Sequence, residues 1–72
     1  MNENHVAATV RAELARKGKT QADVSEVLGI TRQGVSRRML GSVDFKVSEL
    51  YAIAQLCEIP VTTLIPDASN VA

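Results

Sequence analysis

The sequence predicts an all-α fold, a compact bundle of four to five short helices. Three observations carry that reading. Apolar residues recur three and four apart along most of the chain, with no strand-like alternation. Glycine or proline closes each such segment, and Asn, Thr or Ser stands ready to open it. Aromatics are limited to Phe45 and Tyr51, so the core has to be built from Val, Leu, Ile, Ala and Met, which suits closely packed helices. With 72 residues there is room for one domain, expected over residues 1–66, followed by a tail at 67–72. A chain of this size buries only roughly 60% of its unfolded surface, so its stability margin is thin.

The first helix rests on Val6, Val10 and Leu14, one stripe at four-residue spacing with Ala7 beside it. Asn2 or Asn4 can cap its start. "RKGK" ends it, with cations at the negative pole and Gly18 past the end. Thr20 is the N-cap of a second helix, with Asp23 a weak capping-box partner. Val24, Val27 and Leu28 form its apolar face, and Gly29 closes it after about eight residues. Thr31 caps a third short helix, "RQGVSRRML", with Val35 and Met39 on one side and Gly41 at its end. "GSVDFK" is a loop. Ser48 is expected to cap a fourth helix, whose Leu50, Ile53, Ala54 and Cys57 form the strongest apolar stripe in the chain. Pro60 blocks simple continuation and can start one further turn, "PVTTLI".

Composition excludes several functions. One cysteine, Cys57, leaves no internal disulfide, and with one histidine, His5, no standard zinc site. Cys57 is expected to be a small core residue and His5 to face solvent. The N-terminus is charged and interrupted, unlike a signal peptide. The longest purely apolar run, "LYAIA", is far too short to span a bilayer. No phosphate-binding glycine loop is present, and a small helical domain offers little concave pocket. Neither enzyme activity, nor a cofactor, a metal, a small-molecule substrate or a membrane partner is expected, and the expected location is the cytoplasm.

Net charge is zero, with eight basic and eight acidic residues, yet the distribution is uneven. Residues 11–46 hold all eight basic residues and four of the acids, a local charge of +4. "TRQGVSRR" places three arginines and no acid in eight residues. A dipolar chain of this kind invites a localised anionic partner.

The stretch "TQADVSEVLGITRQGVSRRMLG" holds two short helices joined by a tight glycine turn, the layout of a helix-turn-helix over residues 20–40. Its geometry needs a positive-φ residue in the turn, a small residue where the helices cross, and an apolar plug on the second helix. Gly29, Ser25 four before it and Val35 six after it meet these needs in one register. With Val35 at 0° and about 100° per residue, Met39 falls at about 40°, Arg32 at about 60°, Ser36 at about 100°, Gln33 at about 160°, Arg37 at about 200°, Gly34 at about 260° and Arg38 at about 300°. Gln33 and Arg37 therefore project away from the core. Arg matches the guanine O6/N7 edge and Gln the adenine N6/N7 edge.

The same stretch resembles the helix-turn-helix of the lambda-type phage repressor and Cro family. The likeness continues through "FKVSELYAIAQLCEIPVTTLI", similar to that family's fourth helix and following turn, and covers roughly residues 6–65. It implies a lambda-repressor-like domain whose recognition helix, residues 31–40, lies in the major groove of double-stranded DNA. It implies base reading by Arg32, Gln33 and Arg37, with Gly34 and Ser36 on the same surface. Phosphate contacts are implied at Gln21, Ser42 and Lys46, joined by Thr31 at the helix start. Position 38 is usually apolar in the family. Here Arg38 has two uses open to it, a phosphate contact or an ion pair with Glu26 or Asp44. Arg32 stands where the family often has a Gln braced by the first one.

The function expected on these grounds is a sequence-specific, Cro-like phage or prophage repressor that acts by promoter occlusion in a bacterial host. With Met1 at its start and a short tail after its last turn, the chain is expected to be a bare DNA-binding domain, with the N-terminal piece of a longer repressor as the alternative. A homodimer on DNA is expected, with Val61, Leu64, Ile65 and Val71 as the candidate dimer surface. Two alternatives differ in kind: an antitoxin or adaptor module that grips a protein, and an excisionase-like protein that bends DNA. A protein-gripping helix should expose aromatic residues or Leu. This one offers Arg, Gln, Gly and Ser, with Leu40 the exception.

Overall fold

The computed structural model describes residues 5–65; Asn2, Asn4, Val71 and the tail lie outside that range. Four α-helices follow one another: α1 (His5–Arg16), α2 (Gln21–Leu28), α3 (Arg32–Met39) and α4 (Val47–Cys57), followed by a 3₁₀ turn, Val61–Thr63. No strand occurs among the described residues. Helices α1 and α2 each pack on α3 and α4, and the 3₁₀ turn packs on α4.

The core is aliphatic. Val10 and Leu14 of α1, Val24 of α2, Val35 and Met39 of α3, and Leu50, Ile53, Ala54 and Cys57 of α4 are buried together with Leu64. Phe45 borders this cluster, and Tyr51 faces solvent. Burying each of the larger side chains stabilises the fold by about 1.5–3 kcal/mol. The stripe expected on α2 is narrower than its spacing suggests. Val24 is fully buried and Leu28 partly so, but Val27 is 44% exposed. Two turns of helix pack against neighbours along one line only, and Val27, about 60° round from Val24, lies at the uncovered edge of that stripe.

The helix ends are set by local chemistry. Thr20 Oγ1 accepts from the Asp23 amide at 3.2 Å, and the Asp23 carboxylate accepts from the Thr20 amide at 2.9 Å, so the capping box of α2 is complete even with the shorter Asp. Thr31 Oγ1 accepts from the Gly34 amide and caps α3. Helix α4 starts at Val47, one residue before the expected Ser48 cap. Glu49 reaches back to accept the Lys46 amide at 2.9 Å, which fixes Lys46 as the residue before the helix and places Ser48 inside its first turn. Gly29 takes the left-handed conformation, φ 69°. The Arg11 guanidinium donates to the Met39 carbonyl, placing a cation at the C-terminus of α3 and tying α1 to it.

The terminator of α4 is Glu58 rather than Pro60. Glu58 is left-handed, φ 59°, and its amide and that of Ile59 close back on Gln55 and Ala54. A residue with a Cβ is strained there by about 1–2 kcal/mol, and its negative charge sits at the negative pole of the helix. Glu58→Gly is expected to raise unfolding stability by about 1 kcal/mol, less than the full strain because glycine loosens the unfolded chain. Urea unfolding measures it, and an unchanged or lower midpoint contradicts it.

Candidate nucleic-acid interface

The turn between α2 and α3 positions the site. The Ser25 carbonyl accepts from the Gly29 amide at 2.9 Å and the Ile30 amide at 3.2 Å. The Ser25 hydroxyl donates to the Ile30 carbonyl. Ser25 was expected only as a small residue at the crossing, but it also fastens both ends of the turn. Val35 then enters the core with no exposed surface, and Met39 follows it one turn later.

With that face locked inward, Arg32, Gln33 and Arg37 are exposed. Gly34 and Ser36 are half-buried at the flanks of the same surface. Among the described residues, no hydrogen bond or ion pair engages the side chains of Arg32, Gln33 or Arg37, and none links Arg32 to Gln21. Gln21 is exposed at the start of α2, beside a shallow groove that Arg11, Lys19 and Met39 help to line. Thr31 is exposed; its oxygen caps α3, which leaves the hydroxyl proton free to donate. Ser42 gives its amide to the Arg37 carbonyl at 2.9 Å, so its hydroxyl is the group left to donate. Lys46 gives its amide to Glu49 and keeps an exposed ammonium.

Of the two uses open to Arg38, the structure shows an ion pair, with a partner other than the two expected. Its Nε donates to Glu49 Oε1 at 3.0 Å and one Nη to Glu49 Oε2 at 3.2 Å, a fork-to-fork ion pair. The other Nη donates to the Gly34 carbonyl at 3.0 Å. The two side chains are only 14% and 12% exposed. The partner is Glu49, rather than Glu26 or Asp44. Burial pushes the Glu49 carboxyl up, but the Arg38 hydrogen bonds and the Lys46 amide outweigh it and hold it below the ordinary carboxylate range.

A sequence profile of the helix-turn-helix family HTH_3, the lambda repressor and Cro type, matches residues 10–64. The chain belongs to that family. It is a DNA-binding helix-turn-helix regulator. Searches of curated proteins and of solved structures gave no match. No helix among the described residues is long and apolar enough to cross a membrane.

Three features of this helix-turn-helix chain escaped sequence reasoning. Glu49 lies eleven residues from Arg38 across a loop, a spacing no single helix explains. The bond from Arg11 to Met39 spans 28 residues. Glu13 is buried on α1, held at 3.5 Å from Arg16. The one available signal was Glu at the third position of α4, a helix-start pattern that marks it as an acceptor.

Asp23 and Glu49 together predict an acid limb of stability. The hydrogen bond from the Thr20 amide holds the Asp23 carboxyl low, as the Arg38 pair does for Glu49. Both folded values lie below the unfolded ones, so their stabilisation is complete above the ordinary carboxylate values of about 4. It is lost as pH falls through the lower folded values. Urea midpoints between about pH 6 and pH 2.5 should therefore fall less steeply for Asp23→Asn/Glu49→Gln than for the parent chain. Equal slopes contradict this.

Proposed function

We propose that this chain is a sequence-specific, Cro-like phage or prophage repressor that occupies its operator and blocks polymerase from the promoter, in the cytoplasm of a bacterial host. Residues 1–66 form the DNA-binding domain. Arg32, Gln33 and Arg37 read base edges in the major groove, with Gly34 and Ser36 lying against the same bases. Gln21, Thr31, Ser42 and Lys46 hold the backbone. Arg38 leaves the phosphate set because its guanidinium is engaged inside the fold. The observation that carries the reading is the free, polar Arg32–Gln33–Arg37 face on a helix whose opposite face is fully buried.

One recognition helix reads only a few base pairs, so two copies on half-sites about one helical turn apart supply the needed specificity. Val61, in the 3₁₀ turn, and Ile65, just after it, are half-buried and are the remaining described candidates for the dimer surface. Leu64 is withdrawn because it is completely buried in its own core. Leu40, 70% exposed, with Val47 and Tyr51 favours a second reading in which a protein partner docks on the domain. Selection of bound sequences from a random duplex pool separates the two. Enrichment of one motif supports the repressor, and no enrichment at low salt contradicts it.

With Arg32, Arg37 and Lys46 as the cations on the selected duplex, log K against log salt is expected to fall with a slope of roughly −1 to −3 per protomer. Arg37→Ala should cost about 1–3 kcal/mol and relax preference at one base pair. A uniform loss across all duplexes contradicts the base-reading role.

Gly34 offers a second test. An added Cβ would meet Thr31 Oγ1 at 3.4 Å and Arg38 Nη1 and Ile30 Cδ1 at 3.5 Å, ordinary contacts that the fold accepts. Glycine within a helix is about 0.8–1 kcal/mol worse than alanine. Gly34→Ala should raise the melting temperature and weaken operator binding, because the added methyl holds the bases off. Binding that stays equal or tightens contradicts close approach at Gly34.

A further inference from the structure

We propose that Arg38 and Glu49 are positioning residues, a clamp that holds the base-reading helix and the backbone-holding loop as one rigid piece and so sets DNA specificity without touching DNA. The inference rests on the DNA-binding reading of α3 given above.

The connections form a continuous path. The Gly34 carbonyl, beside Gln33 on the reading surface, accepts from Arg38 Nη1 at 3.0 Å. Arg38 grips both oxygens of Glu49 at 3.0 and 3.2 Å. Glu49 Oε1 accepts the Lys46 amide at 2.9 Å. The path therefore runs from the backbone of the base-reading turn to the backbone of Lys46. It crosses the mouth of the segment 40–46, whose near end is already pinned by the Ser42 and Val43 amides on the Arg37 carbonyl. Ser42 and Lys46 are thus fixed relative to Gln33 and Arg37 at both ends of the loop.

That rigidity bears on recognition. Phosphate contacts carry register and base contacts carry sequence. Discrimination requires both to be met at once, because a base contact displaced by about 1 Å no longer rejects the wrong base. A loop free to shift relative to α3 keeps its phosphate contacts on any duplex and loses the penalty for a mismatch. The clamp should therefore govern the ratio of specific to non-specific affinity more than affinity itself. A planar, two-pronged guanidinium suits this task because it fixes orientation as well as distance.

The test separates positioning from mere stability. Arg38→Met/Glu49→Gln removes both charges, leaves an apolar side chain at position 38, and keeps an acceptor for the Lys46 amide. Replacing an ion pair of this kind by uncharged groups is often neutral or stabilising, so the chain should stay folded and melt no lower than the parent. Affinity is measured on the selected duplex and on a scrambled one across several salt concentrations. The ratio of the two affinities is expected to fall roughly tenfold, the size of one lost base contact, with the salt slope unchanged. An unchanged ratio overturns the clamp. A slope smaller by about one also overturns it, because Arg38 would then be a phosphate ligand.

A second arm uses no DNA. Residual dipolar couplings of the amides of residues 44–46, referenced to those of α3, should be smaller in the double variant than in the parent. Equal couplings in both overturn the clamp. Should the parent bind no duplex at all, the regulator reading fails on that result, and the couplings still decide whether the clamp exists.

Discussion

The interface depends on one turn. Gly29 must be left-handed for α2 to stop and α3 to start at the angle that carries Val35 into the core. Ser25 makes that turn a closed unit, with its carbonyl bound to two amides of the turn and its hydroxyl on the Ile30 carbonyl. Once Val35 and Met39 are seated, the rotation of α3 about its axis is no longer free. A slip of one residue would swing every side chain by about 100° and bring the Arg37 charge toward the core boundary. Desolvating an unpaired guanidinium there is far too costly to be populated. The outward direction of Gln33 and Arg37 is thus a consequence of aliphatic packing on the opposite side of the helix, while Arg32 is exposed because it stands at the open first turn of α3.

Electrostatics refine what packing sets. Of the cations between residues 11 and 46, Arg11 is drawn onto the end of α3 and Arg38 onto Glu49, while Arg16 lies near Glu13. Arg32, Arg37 and Lys46 remain exposed and make no side-chain bond among the described residues. Lys17 is exposed at the end of α1 as well, so a chain of zero net charge keeps local positive charge on the α3 face without confining all of it there. Diffuse attraction to any polyanion is limited in this way, and local contact is retained.

What could be read from the sequence was what is local. The stripes at Val10 and Leu14 and at Leu50, Ile53, Ala54 and Cys57, the threonine caps and the glycine stops each lie within one or two helical turns. Each follows from a spacing or a backbone preference. The triple constraint of Ser25, Gly29 and Val35 was legible because the turn ties them over ten residues. Arg38 was not, because its choice between phosphate, Glu26, Asp44 and Glu49 depends on where a loop delivers the start of α4. Val27 misled for a related reason: periodicity shows which residues share a face, and neighbours decide how much of that face is covered. Ser48 failed as a cap because Glu49 competes for the same helix start from inside the first turn.

The proposed repressor places Arg32, Gln33 and Arg37 of α3 in the major groove. Guanine N7 projects into that groove alone, so methylation interference on the selected duplex tests the claim directly. Premethylation at one or two guanines within each half-site should block binding of the parent chain, and Arg37→Ala should abolish the block at one of them. Binding indifferent to N7 methylation throughout the site, yet blocked by adenine N3 methylation in the minor groove, would contradict it.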